Sequence, residues 1–145
     1  MFKHILVPVD GSSTSQLAVE KTMSLARAFG SRVTAIFVLD PYPFTGVGTD
    51  FAYGQAEYLS AATSEANRAI DEAKAAFKDA GINAEFSIVE SHATWRGVVE
   101  TADTLQADLI VMGSHGRSGL ERLVLGSVTQ AVLSHTKVTV LVVRA

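Results

Sequence analysis

The sequence predicts an α/β fold, an open, doubly wound sheet of five parallel strands with helices on both faces. Segments typical of strands alternate with segments typical of helices, as expected when each crossover between parallel strands carries a helix. Several strand-like runs are continuously apolar, which indicates strands buried on both faces. No internal repeat or linker-like segment interrupts the 145 residues, so we expect a single domain over residues 1–145.

The first half of the chain predicts two strands and two helices. Residues 5–9 form a short apolar run, and the turn at 10–13 supplies N-cap residues for a helix over 17–29 that stops at Gly30. Residues 33–39, rich in Val, Ile and Phe, predict the second strand. Residues 41–54 combine prolines, glycines and aromatics and predict a long loop. An Ala-rich helix follows over about 55–80 and ends at Gly81.

The second half predicts three strands and two helices. Ala84, Phe86 and Ile88 alternate with polar neighbours, the period of a half-buried strand. Residues 95–105 suit a helix with Trp95 facing inward, and 109–112 form an uninterrupted apolar strand. A last helix over 127–133 and a last strand over 138–143 complete the pattern. Because ligands bind such sheets beyond the carboxyl ends of the strands, the loops after the first and fourth strands are the candidate site.

Composition and charge narrow the class of protein. Hydrophobic residues make up 48% and charged residues 19%, as in an ordinary globular core. The net charge of −3 and the scattered Lys and Arg argue against a nucleic-acid partner, which needs a clustered basic face. The absence of cysteine excludes disulfides and thiolate chemistry. With no apolar run near the ~20 residues of a membrane span and no signal peptide, we expect a cytoplasmic protein with no membrane partner.

A glycine-rich segment after the fourth strand carries the clearest chemistry. Gly113 and Gly116 are followed, after nine residues, by Gly126 and Ser127 at the start of the last helix. Glycine lets a chain leave a strand in a conformation costly for other residues and lets the backbone approach a ligand closely. Free N–H groups and the positive dipole end of a helix favour an anion, and Arg117 adds charge. Each glycine alone is more typical of a plain turn, with Ser127 as an N-cap, but the full spacing between a buried strand and a helix predicts a phosphate site.

The same segment, with ADLIVM at 107–112 before it, resembles the ATP-binding branch of the universal stress protein family. The resemblance covers essentially the whole chain, from ILVPVDGS at 5–12 to VTVLVV at 138–143. It implies the strand order 3-2-1-4-5 and a Rossmann-like fold of the adenine nucleotide alpha hydrolase type. It also implies an ATP-dependent regulatory module in the stress response, acting on a signalling partner that the sequence does not name.

Carried over residue by residue, the resemblance implies a site with an adenosine end and a phosphate end. The adenosine end is lined by Pro8, Val9, Asp10, Val38, Met112 and Gly113. The phosphate end is lined by His115, Gly116, Arg117, Gly126, Ser127, Val128 and Thr129. Mg²⁺ is implied at the terminal phosphates, held mainly by phosphate oxygens. Family members commonly carry a Gly-x-Pro turn where this chain has SHATW at 91–95, so the pocket wall there is expected to differ.

Several alternatives remain open at this point. Asp10, before Gly-Ser, also suits a turn or a helix cap. The same pocket would suit a slow ATPase or a nucleotidyl or phosphoryl transferase. A hydrolase triad of Ser127, His115 and Asp10 is disfavoured, since no serine lies in a G-x-S-x-G elbow. No Walker A loop occurs, and a flavodoxin-like carrier would place its phosphate loop after the first strand.

The last strand and the isolated histidines complete the predictions. In the order 3-2-1-4-5 the strand at 138–143 lies at an edge, where an uncharged run invites pairing with another chain. We therefore expect a two-fold homodimer through this strand. His4 and His135 are expected at the surface or at helix ends. No histidines have a metal-ligand spacing, so no protein metal site is expected.

Overall fold

The sheet has five parallel strands in the order β3-β2-β1-β4-β5, which confirms the predicted fold class and strand order. The computed structural model describes residues 1–41, 49–115 and 125–145, with side chains for all of these except 49–53. In chain order the elements are β1 (His4–Pro8), α1 (Ser13–Phe29), β2 (Arg32–Leu39), α2 (Thr49–Asp79), β3 (Glu85–Glu90), α3 (Thr94–Leu105), β4 (Leu109–Gly113), α4 (Ser127–His135) and β5 (Thr139–Val143).

Helices cover both faces of the sheet, which explains the continuous apolar runs. Ile5 and Val7 of β1 belong to a core shared with α1 and α2. Leu6, between them, belongs to a second core shared with α3 and α4. All three side chains are fully buried. Because successive side chains of a strand point to opposite faces, a central strand between two helical layers buries its side chains on both faces and favours apolar residues along its length.

Helix α1 begins four residues before the predicted start because its cap lies in the preceding turn. The Ser12 side chain accepts a hydrogen bond from the Ser15 N–H at 3.2 Å, which satisfies one of the free amides of the first turn. At the other end Gly30 takes the left-handed conformation, with φ of 65°, and its N–H donates to the Ala26 carbonyl. The predicted stop at Gly30 is confirmed.

Helix α2 begins at Thr49, so the predicted loop over 41–54 is wrong for its last six positions. A glycine such as Gly54 is a common turn residue, but a helix interior tolerates one at a cost of about 1 kcal/mol relative to alanine. The helix runs for 31 residues. Neither it nor any other helix in the described part of the chain is long and apolar enough to cross a membrane.

The two edges of the sheet are β3 and β5, and the predicted edge position of β5 is confirmed. On β3, Phe86 packs against the core as predicted, whereas Ile88 is 37% exposed. Leu141 of β5 is similarly exposed, at 39%. An edge strand has a neighbour on one side only, so its apolar residues are less completely covered than those of β1.

The prediction that His4 lies at the surface is wrong. His4 is 6% exposed, and its Nε2 lies 2.8 Å from the Thr34 hydroxyl. Beside it, the Asp108 carboxylate accepts the N–H groups of Lys3 and His4 at 2.8 and 3.0 Å. Burial acts to raise the pKa of Asp108, but these main-chain donors outweigh it and hold the pKa below its usual value. The carboxylate thereby joins β1 to β4 at the amino end of the sheet.

Candidate functional site

A crevice opens between β1 and β4 at the carboxyl end of the sheet. These two strands pair only at Ile5–Leu109 and Leu6–Ile110, although β1 continues to Pro8 and β4 to Gly113. On its other side β1 pairs with β2 as far as Pro8. The chain winds outward in opposite directions from β1, so this is the point where strand order reverses. Open α/β sheets bind their ligands in such a crevice.

Asp10, just past the end of β1, shapes the turn into α1. One of its carboxylate oxygens accepts the Ser12 N–H at 2.9 Å, and its own N–H donates to the Ser15 hydroxyl at 3.2 Å. The turn role that the sequence left open is therefore present. The carboxylate keeps a second oxygen, and a ribose contact from it stays a prediction. Pro8 is partly buried and Val9 is 5% exposed within the core, so both form the floor beside this turn.

A cleft of about 220 Å³ lies next to Asp10. One wall is the turn itself, and the other is a row of mostly charged residues on α2. The residues that border it are Asp10, Gly11, Glu65, Arg68, Ala69 and Glu72. The α2 members were not predicted as site residues. The helical spacing of these residues in the sequence places them on one face of α2. It does not indicate that this face packs against the turn after β1, so they could not be assigned to the site from the sequence.

Val38 lies on β2 two residues beyond the point where its pairing with β1 ends. The last residue of β2 to pair with β1 is Ile36, whose carbonyl accepts the Val9 N–H at 2.8 Å. Main-chain groups of a strand alternate between its two neighbours. The N–H and C=O of Val38, two residues on, therefore face the same side as those of Ile36, where β1 has ended. This places a donor and an acceptor side by side at the crevice, as the predicted adenine contact requires.

Gly97 of α3 lies directly against Val38. A Cβ added to Gly97 would lie 2.7 Å from one methyl of Val38 and 3.0 Å from the other. The helix therefore approaches β2 at a distance that only glycine permits. Gly97 is a residue that the motif spacing does not reveal. The signal that could have identified it is a glycine inside a helical pattern. Glycine costs a helix about 1 kcal/mol relative to alanine, so its presence there points to a packing requirement.

The segment at 91–95, where the chain departs from the family pattern, lies at the carboxyl ends of β2 and β3. His92 Nδ1 is 3.3 Å from a carboxylate oxygen of Asp40, the residue after β2. Trp95 stacks on His135, with ring centroids 4.0 Å apart and an interplanar angle of 22°. His135 is the last residue of α4, which confirms its predicted place at a helix end. This wall thus contains a ring-stacking contact and a hydrogen bond between side chains.

Gly113 is required by packing, and the predicted conformational reason for it is wrong. The described glycines with left-handed φ values are Gly11, Gly30 and Gly81, and Gly113 is not among them. A Cβ on Gly113 would instead lie 2.8 Å from both Cβ and Oγ1 of Thr14, in the first turn of α1. Its place at the end of β4, beside the 5%-exposed Met112, therefore brings α1 against the crevice.

Three consecutive carbonyl groups at the end of β4, those of residues 113–115, all accept hydrogen bonds from within the protein. The Gly113 carbonyl accepts from the Thr129 hydroxyl at 2.9 Å, and the Ser114 carbonyl accepts from the Gly126 N–H at 2.7 Å. The His115 carbonyl accepts from the Thr14 hydroxyl. The Gly126 N–H is therefore engaged within the protein, and the predicted contact of Gly126 with phosphate stays a prediction. The Thr129 hydroxyl also donates its hydrogen within the protein, which leaves the main-chain amide as the Thr129 donor for a phosphate oxygen.

Helix α4 presents its first-turn amides beside these carbonyls. Its cap is Gly126, with φ of −64° and ψ of 157°, so Ser127 is the first helical residue and not the N-cap. The first bond of the helix runs from the Gln130 N–H to the Gly126 carbonyl at 3.0 Å. Within the described part of the chain, the N–H groups of Ser127, Val128 and Thr129 have no acceptor. They lie at the positive end of the helix dipole.

The site residues therefore fall into two groups that the fold brings to one edge of the sheet. The first group follows β1 and β2, and the second follows β4 and opens α4. His115 belongs to the second, and its Nδ1 lies 3.1 Å from the Ser114 hydroxyl. The predicted residues Gly116 and Arg117 lie outside the described residues, as do positions 42–48 of the predicted loop over 41–54.

Comparison with known proteins adds a family to this geometry. A sequence model described as the universal stress protein family matches residues 1–144. Universal stress protein MJ0531 of Methanocaldococcus jannaschii is 34% identical over 145 residues, covering 99% of this chain and 83% of the relative. The universal stress protein UspA from Lactobacillus plantarum superposes with a TM-score of 0.86 at 26% identity, covering 98% and 97% of the two chains. A universal stress protein solved in complex with cAMP superposes with a TM-score of 0.73 at 28% identity, covering 99% and 97%.

Proposed function

Because the chain belongs to the universal stress protein family, we propose that it binds ATP in the crevice between β1 and β4. In this proposal the bound nucleotide controls a regulatory module of the stress response in the cytoplasm. A structural relative of the same family has been solved with cAMP, an adenine nucleotide, which supports the ligand class. The finer choice of ATP is supported by the three successive amides at the start of α4 that have no acceptor among the described residues, since they could bind several phosphate oxygens.

The observation that carries the proposal is the arrangement of main-chain groups around the end of β4. The amides of Ser127, Val128 and Thr129 have no acceptor among the described residues, whereas the neighbouring carbonyls at 113–115 are all engaged. Amides at a helix start, with the positive dipole end behind them, attract phosphate oxygens. The exposed Ser127 side chain adds a hydroxyl donor. Mg²⁺ would accompany a triphosphate, held mainly by its oxygens.

The adenosine end of the crevice suits a purine base. The N–H and C=O of Val38 face the side where β1 has ended, so they offer one donor and one acceptor to the edge of a base. Pro8, Val9 and Met112 supply apolar surface around it, and the second carboxylate oxygen of Asp10 is the group we assign to the ribose.

We further propose a homodimer formed by β5 pairing with β5 of a second copy. β5 is an edge strand whose five residues, TVLVV, carry no charge. The other edge strand, β3, has Glu85 and Glu90 at its two ends. Charges at an edge strand oppose pairing with another sheet, so β5 is the edge more suited to a partner. Two-fold symmetry would place the same surface on both copies.

Replacing Ser127 with alanine tests the phosphate end directly. If the hydroxyl binds a phosphate oxygen, its loss weakens ATP binding by roughly 1.5–3 kcal/mol, which is a factor of about 10 to about 150. Isothermal titration calorimetry measures the affinity. Ser134→Ala is the matched control, because Ser134 is an exposed serine of the same helix whose hydroxyl donates to the Gln130 carbonyl at 2.9 Å. Equal ATP affinity in the wild type and both variants would contradict the assignment of Ser127.

A further inference from the structure

Two threonine hydroxyls reach the end of β4 from two different helices. Thr14, in the first turn of α1, donates to the His115 carbonyl across 101 residues of sequence. Thr129, in the first turn of α4, donates to the Gly113 carbonyl at 2.9 Å across 16 residues. Each threonine is 2% exposed, so neither hydroxyl exchanges freely with water. With the Gly126 N–H on the Ser114 carbonyl, these bonds engage three consecutive carbonyl oxygens.

These bonds are unlike the usual bond of a buried threonine in a helix. Thr22 of α1 shows the usual kind, because its hydroxyl donates to the Ala18 carbonyl four residues earlier, at 2.8 Å. Thr14 and Thr129 instead join separate elements. Neither caps its own helix, since Ser12 caps α1 and Gly126 precedes α4. Local helix geometry therefore does not account for either hydroxyl.

The three carbonyls matter because they lie beside the amides of α4. A carbonyl oxygen carries partial negative charge and repels a phosphate oxygen, so an anion site needs its carbonyls bound to donors or pointed away. Engaging the Gly113 and His115 carbonyls fixes the peptide planes between them. The peptide group between them carries the Ser114 carbonyl and the His115 N–H, and the bond from the Gly126 N–H holds it directly. The His115 N–H, which has no acceptor among the described residues, therefore keeps one direction while the threonine bonds hold the peptide groups on either side.

We propose that Thr14 and Thr129 are positioning residues that hold the carbonyls of His115 and Gly113 away from the phosphate chain of the bound nucleotide. This inference rests on the proposed function, since it assigns the two hydroxyls a role in the same site. Gly113 is predicted at the ribose side of the adenosine end, but its carbonyl accepts from Thr129 in the first turn of α4. Both carbonyls therefore lie at the β4–α4 end of the crevice and not beside Val38, so we expect the role to be specific to phosphate. Losing either hydroxyl releases a buried carbonyl beside the anion and leaves the adenosine end unchanged.

The test compares binding of ATP with binding of adenosine, which lacks phosphates, in Thr14→Val and Thr129→Val. Valine keeps the shape of threonine and removes the hydroxyl. We expect each variant to bind ATP about tenfold more weakly than the wild type, with adenosine affinity unchanged within about twofold. Thr14→Ser and Thr129→Ser, which keep a hydroxyl, should restore ATP affinity. Thr22→Val is the control, because it removes a buried hydroxyl bond remote from the site.

The outcomes separate the inference from the proposed function. Parallel urea unfolding shows how much stability each variant loses, and we expect the three valine variants to lose similar amounts. A tenfold loss of ATP affinity confined to positions 14 and 129 supports the inference. ATP binding in these two variants equal to that of Thr22→Val, or equal losses for ATP and adenosine, would overturn it while the proposed function stands. A wild-type protein that binds neither compound would overturn both.

Discussion

Replacing Gly113 with alanine is expected to destabilise the fold by about 1–3 kcal/mol and to weaken ATP binding at least about tenfold. The new Cβ would lie 2.8 Å from Cβ and Oγ1 of Thr14 and 3.1 Å from its main-chain carbon. Thr14 is 2% exposed and its hydroxyl is bonded to the His115 carbonyl, so the side chain cannot rotate out of the way. The first turn of α1 or the end of β4 must shift, and either shift distorts the crevice.

Gly54→Ala is the matched control for this substitution. Gly54 lies in α2, has no left-handed φ, and a Cβ there would meet nothing within 4 Å. Alanine at such a helical position is expected to stabilise the protein by up to about 1 kcal/mol. Urea unfolding and calorimetric titration with ATP measure both quantities. If Gly113→Ala keeps wild-type stability and affinity, the packing of α1 against the end of β4 does not support the site as we describe it.

Replacing Val140 with proline is expected to convert the proposed dimer to a 15.4 kDa monomer. The Ser114 N–H donates to the Val143 carbonyl, so Val143 directs its main chain towards β4. Alternation then directs the main chain of Val140 outward, to the free edge. Proline at position 140 removes an N–H that points away from the sheet and keeps the hydrogen bonds between β4 and β5. Edge strands tolerate proline at such positions. Sedimentation velocity measures the change.

The opposite edge of the sheet supplies the control. The Ser91 N–H donates to the Leu39 carbonyl, so by the same alternation Ile88 of β3 directs its N–H outward. Ile88→Pro therefore makes the same change on the other edge strand and should leave the dimer intact. A dimer that persists in Val140→Pro and dissociates in Ile88→Pro would mean that β3 forms the interface. A dimer unaffected by both substitutions would show that neither edge pairs.

The sequence alone predicts the architecture because the signals for it are local. Continuous apolar runs such as 109–112 indicate strands between two helical layers. Glycines such as Gly30 mark the ends of helices, because the residue after a helix often takes the left-handed conformation. The start of α2 at Thr49 is the main error in the described segments. Gly54 and its aromatic neighbours are typical of a loop, yet a long helix that packs on the sheet for most of its length can include them.

The location of the site is also predictable, but the reasons for individual residues are not. Parallel topology places the ends of β1 and β4 together, so the motif at 113–127 falls beside Asp10. The residue that requires Gly113 to be glycine is Thr14, 99 positions away along the chain, and no spacing rule identifies it. The same holds for Gly97 and Val38, whose contact depends on how closely α3 approaches β2.

The hydrogen bonds of the loop main chain are the least predictable part. The sequence correctly predicts amides without intrahelical partners at the start of a helix. Which of these amides donate to other groups of the protein depends on the path of the segment before the helix. The Gly126 N–H is taken by the Ser114 carbonyl because that carbonyl lies within 2.7 Å. Among the described residues, the next three amides, of Ser127, Val128 and Thr129, have no acceptor, and the proposed phosphate site depends on them.

An ATP titration of ¹⁵N-labelled protein, followed by two-dimensional NMR, tests this dependence most directly. If phosphate oxygens accept from the first turn of α4, saturating ATP will shift the amide signals of Ser127, Val128, Thr129 and His115 most. Signals at the opposite end of the sheet, such as Lys3 beside Asp108, will stay in place. ATP that saturates the protein without moving the α4 signals, or that shifts instead the residues of α2 around Glu72, would contradict the site.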